Sequence, residues 1–331
     1  MPHSSSRLFR FTSLGLAAGL ALSTITVRAA DHAMAADFVA NPVPHLQMDA
    51  LKTFRASNTI LVPTMLLRVA TDGSVFVTKG AGSSTASAKG SYSVNGLDKA
   101  ALTALSAQLQ DDLVKRLKAD GWNVLTFDDI KGDPEVAQMA RRTADGALGF
   151  PQEKDAGNRT NYAIVTPTEA QNIKPAMQGL HWTFRNVAKA RNATVIIPQI
   201  DIIAPQVWGE TRKGYSSASA SVKTAPGMNL NYAMIIALNG KGGGGVVLKT
   251  KYAVVNLSEN VGTFVDAKSK TPSAANGISK GLGILSGAGS ISRASAAYQF
   301  QIEPKTFDEA VLRGGGGIFA GFAKAIAAEK P

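Results

Sequence analysis

Ala101–Ile130 reads ALTALSAQLQDDLVKRLKADGWNVLTFDDI. Leu102, Leu105, Leu109, Leu113 and Leu117, with Val114, fall on one stripe at helical spacing, which predicts an amphipathic helix. Asp98 can cap its start and Gly121 can end it. The opposite face carries Gln108, Gln110, Asp111, Asp112, Lys115 and Lys118. WNVLTF (Trp122–Phe127) follows at once and reads as a strand. A helix that delivers a strand this directly is the signature of helices laid on a sheet.

Working outward, Thr59–Ala70 (TILVPTMLLRVA) predicts a strand. Asp72-Gly73 reads as a hairpin turn, with Val75-Phe76-Val77 as the return strand. Gly80–Ser93 has almost no large apolar group, and reads as a loop in preference to a flat, exposed ribbon. Asp133-Pro134-Glu135 starts a helix through about Arg142. Tyr162–Val165 is a short strand, and Leu180, Phe184, Val187 and Ala188 mark a further amphipathic helix. Ala193–Val207 (ATVIIPQIDIIAPQV) is rich in β-branched residues, and Pro198 and Pro205 suggest an edge position or bulges.

A polar crossing follows over Trp208–Pro226. Leu230–Leu238 and Val246–Val255 form a hairpin whose tip is Asn239–Gly245, with Tyr232, Met234, Ile236 and Leu238 on one face. Residues 256–275 lose the pattern, and Gly277–Gly289 is glycine-rich and apolar. Ala297–Ile302 is a late strand, and Phe307–Glu329 a final helix broken at Gly314–Gly317. The expected fold is α/β (α+β): a mixed sheet with helices packed on it, a long C-terminal β-hairpin and a terminal helix. The expected organisation is a signal peptide over 1–30, a lead-in segment over 31–57, an α/β domain over 58–260, and a glycine-rich segment with the last helix over 261–331.

Composition sets the outer bounds. The 331 residues include no Cys, which excludes disulfides, thiolate metal sites, iron–sulfur clusters, thiol nucleophiles and a lipid anchor on an amino-terminal Cys. Arg7 and Arg10 precede an uncharged, mostly apolar run, Phe11–Val27, closed by small residues at Ala29-Ala30. This reads as a cleaved secretory signal, the run being at the short limit for a membrane span. Its removal takes three Arg and no acid, and lowers the net charge from +11 to +8. No other stretch is long and apolar enough for a spanning helix.

Three pieces of the chain carry a resemblance. They are ILVPTMLL (Ile60–Leu67), the Ala101–Ile130 helix and strand, and ATVIIPQIDIIAP (Ala193–Pro205) followed by a polar excursion and NYAMIIALNGKGGGGVVLKTKYAVV (Asn231–Val255). Their order is similar to the periplasmic α/β domain shared by the curli-secretion channel family, the outer-membrane activators of penicillin-binding proteins and the TolB amino-terminal domain. The match is in order and pattern, so no functional residue carries over. Where the curli channel draws out a membrane-inserting hairpin, this chain has Gly214–Thr224, too polar and short for two lipid-facing strands. The lipobox Cys is also missing. The resemblance implies an envelope protein that works by assembly or binding.

Catalytic signatures are sparse. His3, His32 and His45 lie at the amino terminus, leaving His181, beside Trp182, inside the fold. A lone histidine supplies neither a triad nor a metal site, so no metal or cofactor is expected. Neither G-x-S-x-G nor H-E-x-x-H occurs, and Asn239–Gly245 lacks the Ser/Thr and spacing of a phosphate loop. Asp128-Asp129 ends a strand, but adjacent acids on extended chain point apart. Asp201 and Gln199 alternate with isoleucines and are expected to face water on a half-covered sheet.

Trp208, Arg212, Lys213 and Tyr215 cluster in the polar crossing, and suit a partner surface or an anionic polymer, or else a solvated loop. With a pI near 9.8 but scattered basic residues, nucleic acid is not expected as a partner. The candidate binding residues are therefore Trp208, Arg212, Lys213, Tyr215, His181 and Trp182. The expected function is an exported envelope protein, periplasmic or extracellular, that binds an envelope protein or anionic envelope polymer, with homo-oligomers possible. The alternatives are a carboxylate-dependent secreted hydrolase using Asp128, Asp129 or Asp201, and a self-associating pore or surface-assembly component using Gly277–Gly321.

Overall fold

The computed structural model describes residues 44, 46–49, 51–81, 84–155, 157, 159–215, 217–239, 246–250, 255–258, 260–265 and 291–331. The expected signal peptide and the Gly277–Gly289 stretch lie outside the described residues. Described strands are β1 (Leu46–Met48), β2 (Thr59–Val62), β3 (Leu66–Ala81), β4 (Ser84–Asn95), β5 (Asn123–Thr126), β6 (Gln152–Lys154), β7 (Thr160–Val165), β8 (Thr194–Ile203), β9 (Gln206–Lys213), β10 (Ala218–Ala225), β11 (Met228–Asn239), β12 (Val246–Thr250), β13 (Val255–Ser258), β14 (Gly262–Val265) and β15 (Ile291–Ile302). The described α-helices are α1 (Lys99–Ala119), α2 (Pro134–Ala137), α3 (Leu180–Thr183), α4 (Arg185–Ala190) and α5 (Pro304–Ala327).

The fold is the expected α/β arrangement. A mixed sheet of 13 strands has the path β1-β12-β11-β8-β3-β4-β15-β14, with β13, β2, β5, β7 and β6 alongside. The α1 stripe packs as its spacing predicts: Leu102, Leu105, Leu109, Leu113 and Leu117 are buried, and Asp98 accepts the Ala101 N–H at 2.8 Å. With α5 it covers one face of the sheet over Val69, Ile196, Ile200 and Ile235. The opposite face carries Leu180 of α3, Val187 of α4 and Phe184 between them, in one cluster with Val195, Ile197 and Leu238. The register sets Tyr232, Met234, Ile236 and Leu238 of β11 opposite Asp201, Gln199, Ile197 and Val195 of β8, so the shared face of β11 is as predicted.

Several local expectations are corrected. The Thr59–Ala70 strand is two, because Pro63 interrupts it between β2 and β3. Both pair in parallel with β8, at Val195 and at Gln199, and Pro198 falls opposite the break. An interior strand thereby tolerates a residue with no N–H, where an edge position or bulge had been expected. Asp72-Gly73 is not a turn. β3 runs straight through it, with an irregularity between Ala70 and Asp72 where it pairs with β7. A Cβ on Gly73 would sit 2.6 Å from the Tyr92 ring, so the glycine makes room for that ring.

Gly80–Ser93 is not a loop either. It completes β3 and builds β4, which pairs with β3 from Asp72–Ser93 to Ala81–Ser84 and then in parallel with β15. Its small residues reflect close layering. The β9–β10 hairpin lies over this ribbon, with Val222 at 2.5 Å from a Cβ built on Gly90, and Gly209 against Val77. The polar crossing is therefore a second ribbon, and the two together form an arm beyond the helix-covered body.

Helix α2 stops at Ala137, short of Arg142, because Arg141 bridges Ile173 and the Arg142 N–H is taken by the Asn172 carbonyl at 3.0 Å. The expected helix over Leu180–Ala188 divides at Phe184 into α3 and α4.

The final helix is unbroken through Gly314–Gly317. A Cβ on Gly314 would meet Leu257 at 2.7 Å, and one on Gly315 would meet Leu109 at 2.5 Å. Close packing against β13 and α1 offsets the roughly 1 kcal/mol that a helical glycine costs against alanine. Gly316 has nothing nearer than Asp112 at 3.8 Å. Gly316→Ala is therefore expected to stabilise by about 0.5–1 kcal/mol, and Gly315→Ala to destabilise, by chemical denaturation. Equal shifts of the same sign would contradict this packing. No described helix is long and apolar enough to cross a membrane.

Candidate functional site

The sequence-predicted residues fall into two groups that the fold keeps apart. His181 and Trp182 lie on α3, which contacts β8 and β11. Arg185 stacks on the Trp182 ring at 4.8 Å, and burial lowers the His181 pKa. Trp208, Arg212, Lys213 and Tyr215 lie after β8 in the chain, on the arm. The α3 helix contacts β8 and β11, whereas the β9–β10 ribbon contacts β3, β4 and β15, so the two groups sit on different parts of the fold.

On the arm, β9 and β10 pair from Gln206–Ala225 to Lys213–Ala218. Gly209 and Val222, a facing pair, turn toward β3 and β4. Alternation puts Trp208, Glu210 and Arg212 on the outer face. The Trp208 Nε1–H donates to Glu210 at 3.3 Å, and Lys223 pairs with Glu210 at 2.8 Å. The lysine's hydrogen bond is the main reason the Glu210 pKa is lowered. Arg212 and Lys213 are exposed, and Tyr215 is fully exposed in the turn closed by the Gly214 N–H to Ser217 carbonyl bond of 2.8 Å. The tip thus presents two cations and a phenol on a two-layer support.

The candidate carboxylates separate by environment. Asp129 accepts the Thr126 N–H at 2.7 Å and its hydroxyl at 2.9 Å, which holds its pKa down and closes the turn after β5. Asp128 pairs with Lys131 at 2.9 Å on the surface. Asp201 does not face water: it is 5% exposed, where a half-covered position had been expected. Arg68 of β3 reaches it at 2.8 Å and Gln199 at 3.0 Å. Burial pushes the Asp201 carboxyl up to about 6, against the opposing pull of Arg68.

Around this pair the fold gathers residues that the sequence reading did not combine. The Arg68 guanidinium lies over the Tyr162 ring at 4.6 Å. Glu153 of β6 stands 3.9 Å from Arg68 and 3.8 Å from Arg142. The signal was present in two places, one charge inside each of two apolar strands, LLRVA and IIPQIDII. Their parallel register, Arg68 opposite Asp201, is what couples them. Beside the cluster, at the root of the arm, a cleft of about 230 Å³ is lined by Ser74, Tyr92, Asp155, Arg159, Thr160 and Asn231, among others. Burial pushes the Tyr92 phenol up to about 12.

Among the described residues, no group of three or more His, Asp or Glu side chains is arranged to hold a metal ion. Compared with protein-family models, curated proteins and solved structures, the chain matches none.

Proposed function

We propose that this chain is an exported envelope protein that binds or positions another envelope component without catalysis. The signal-like residues 1–30 support export, and the resemblance to the periplasmic α/β domain group supports a role in assembly or binding. The observation that carries the reading is the arm tip, where Arg212, Lys213 and Tyr215 stand in solvent at the end of a paired ribbon. Cationic and aromatic groups held out on a paired ribbon suit an acidic protein surface or an anionic envelope polymer, because the backbone that carries the two cations is already ordered and only the side chains remain to be fixed on contact.

The test is retention of the purified protein on isolated lipopolysaccharide and on solubilised envelope proteins. Combined alanine substitution of Arg212, Lys213 and Tyr215 is expected to weaken retention at least tenfold. The melting temperature should hold, since exposed substitutions usually stay within about 0.5 kcal/mol each. Undiminished retention of the triple variant would remove the arm from the proposal. Turnover of an envelope substrate would remove the non-catalytic role.

A second reading, a self-associating assembly component, is favoured by the arm's edges. Among the described residues, no strand pairs with Val75–Ala81 of β3 or Ile291–Tyr298 of β15 on the side away from β4. Unpaired edges are templates for a further strand. Light scattering over a concentration series separates the readings: a monomer throughout argues against self-association.

A further inference from the structure

Two arginines are buried side by side away from the arm. The side chains of Arg68 and Arg142 are 12% and 13% exposed. Burial is the first cause of the lowered Arg142 pKa, and the charge of Arg68 contributes in the same direction, so the two cations sense each other. Such a pair calls for anionic oxygen within hydrogen-bonding reach.

That requirement is only partly met. Arg68 Nη1 donates to Asp201 at 2.8 Å, but its buried Nε has no hydrogen-bond partner. Arg142 Nε makes a long bond of 3.4 Å to the Ile173 carbonyl. The carboxylate that faces both arginines is Glu153, with Oε2 at 3.9 Å from Arg68 Nε and 3.8 Å from Arg142 Nη1. Both distances give attraction without a hydrogen bond. Glu153 itself is 52% exposed, on a three-residue strand whose residues all face solvent.

We propose that Arg68 and Arg142 form a binding site for the oxyanion of a small ligand, a carboxylate or phosphate group, and that Glu153 is its displaceable internal occupant. A half-exposed carboxylate returns to water at little loss. An incoming oxyanion that approaches about 1 Å closer makes the hydrogen bonds that Glu153 leaves unmade, and the guanidinium fork matches the planar carboxylate and the phosphate face equally. Asp201 balances Arg68, so the charge left for the ligand is that of Arg142 once Glu153 moves away. The site is independent of the arm tip and of any polymer bound there.

The test is titration calorimetry of the full chain with inorganic phosphate and, separately, acetate. Glu153→Gln is expected to bind at least one of them tenfold or more tighter than the wild type. A gain confined to phosphate identifies a phosphate-bearing ligand, and a gain confined to acetate a carboxylate-bearing one. Arg142→Lys in the Glu153→Gln background keeps the charge, removes the fork and is expected to abolish the gain. No gain for either ion with Glu153→Gln overturns the proposal and leaves Glu153 a surface ion-pair partner. A gain that survives Arg142→Lys also overturns it, by placing the ion elsewhere.

Discussion

Asp201→Ala is expected to lower the unfolding free energy by about 3–5 kcal/mol, the usual loss when one member of a buried ion pair is removed. The variant leaves the Arg68 guanidinium over Tyr162 with no partner closer than Glu153 at 3.9 Å, and takes an acceptor from Gln199. Asp201→Asn keeps one of the two acceptor oxygens, enough for Arg68 or Gln199 but not both, and should lose less. Urea denaturation of the two variants at neutral pH checks the order. An alanine variant within about 1 kcal/mol of the wild type would mean that Arg68 finds water or Glu153 at no loss.

The same residue sets a pH dependence. Its folded pKa, about 6, lies above the ordinary aspartate value of 3.8, so the folded state binds the proton more readily than the unfolded chain. The stability gained in this way is fully present below the unfolded pKa and is lost as pH rises through about 6. Arg68 and Gln199 favour the ionised form, Glu153 opposes it, and the facing phenols of Tyr162 and Tyr232 are raised and stay neutral. Between about pH 4 and pH 7 the wild type is therefore expected to lose stability relative to Asp201→Asn. Parallel profiles would contradict the buried titration.

Phe54→Ala is the second large expectation, with a loss of about 3–5 kcal/mol for a fully buried ring. Phe54 is 0% exposed in a 3₁₀ turn over Leu51–Ala56. Its ring meets Trp122 at 6.1 Å and Phe322 at 5.7 Å, both edge-on. It thus joins the lead-in segment, the start of β5 and the terminal helix in one core. Denaturation followed by tryptophan fluorescence, to which Trp122, Trp182 and Trp208 all contribute, reads the loss. A cost below about 1 kcal/mol would mean that the lead-in segment docks without contributing to stability.

Elements whose pattern is local were legible. The α1 stripe, its Asp98 cap, β5 and the shared face of β11 depend on spacing within one segment, and the structure keeps all four. The turn at Asp72-Gly73, the loop at Gly80–Ser93 and the break at Gly314–Gly317 were misread for one reason. Glycine and small residues signal a turn or a break when read locally, but here they let Tyr92, Val222, Leu109 and Leu257 come close. The space is made by residues distant in the chain, and no local window contains them.

The candidate site divides along the same line. That Trp208, Arg212, Lys213 and Tyr215 cluster was readable, because they are neighbours in sequence. That they ride on an ordered ribbon follows from Gly90 and Gly209 packing across two hairpins. For Asp201, alternation along one strand set its side of the sheet, and Arg68 opposite it, with Tyr162 beneath the guanidinium, made that side a buried one. Periodicity assigns a side chain to a face of its own element. Whether that face meets water, a charge or a ring depends on contacts between residues far apart in the chain, and those exist only in the folded protein.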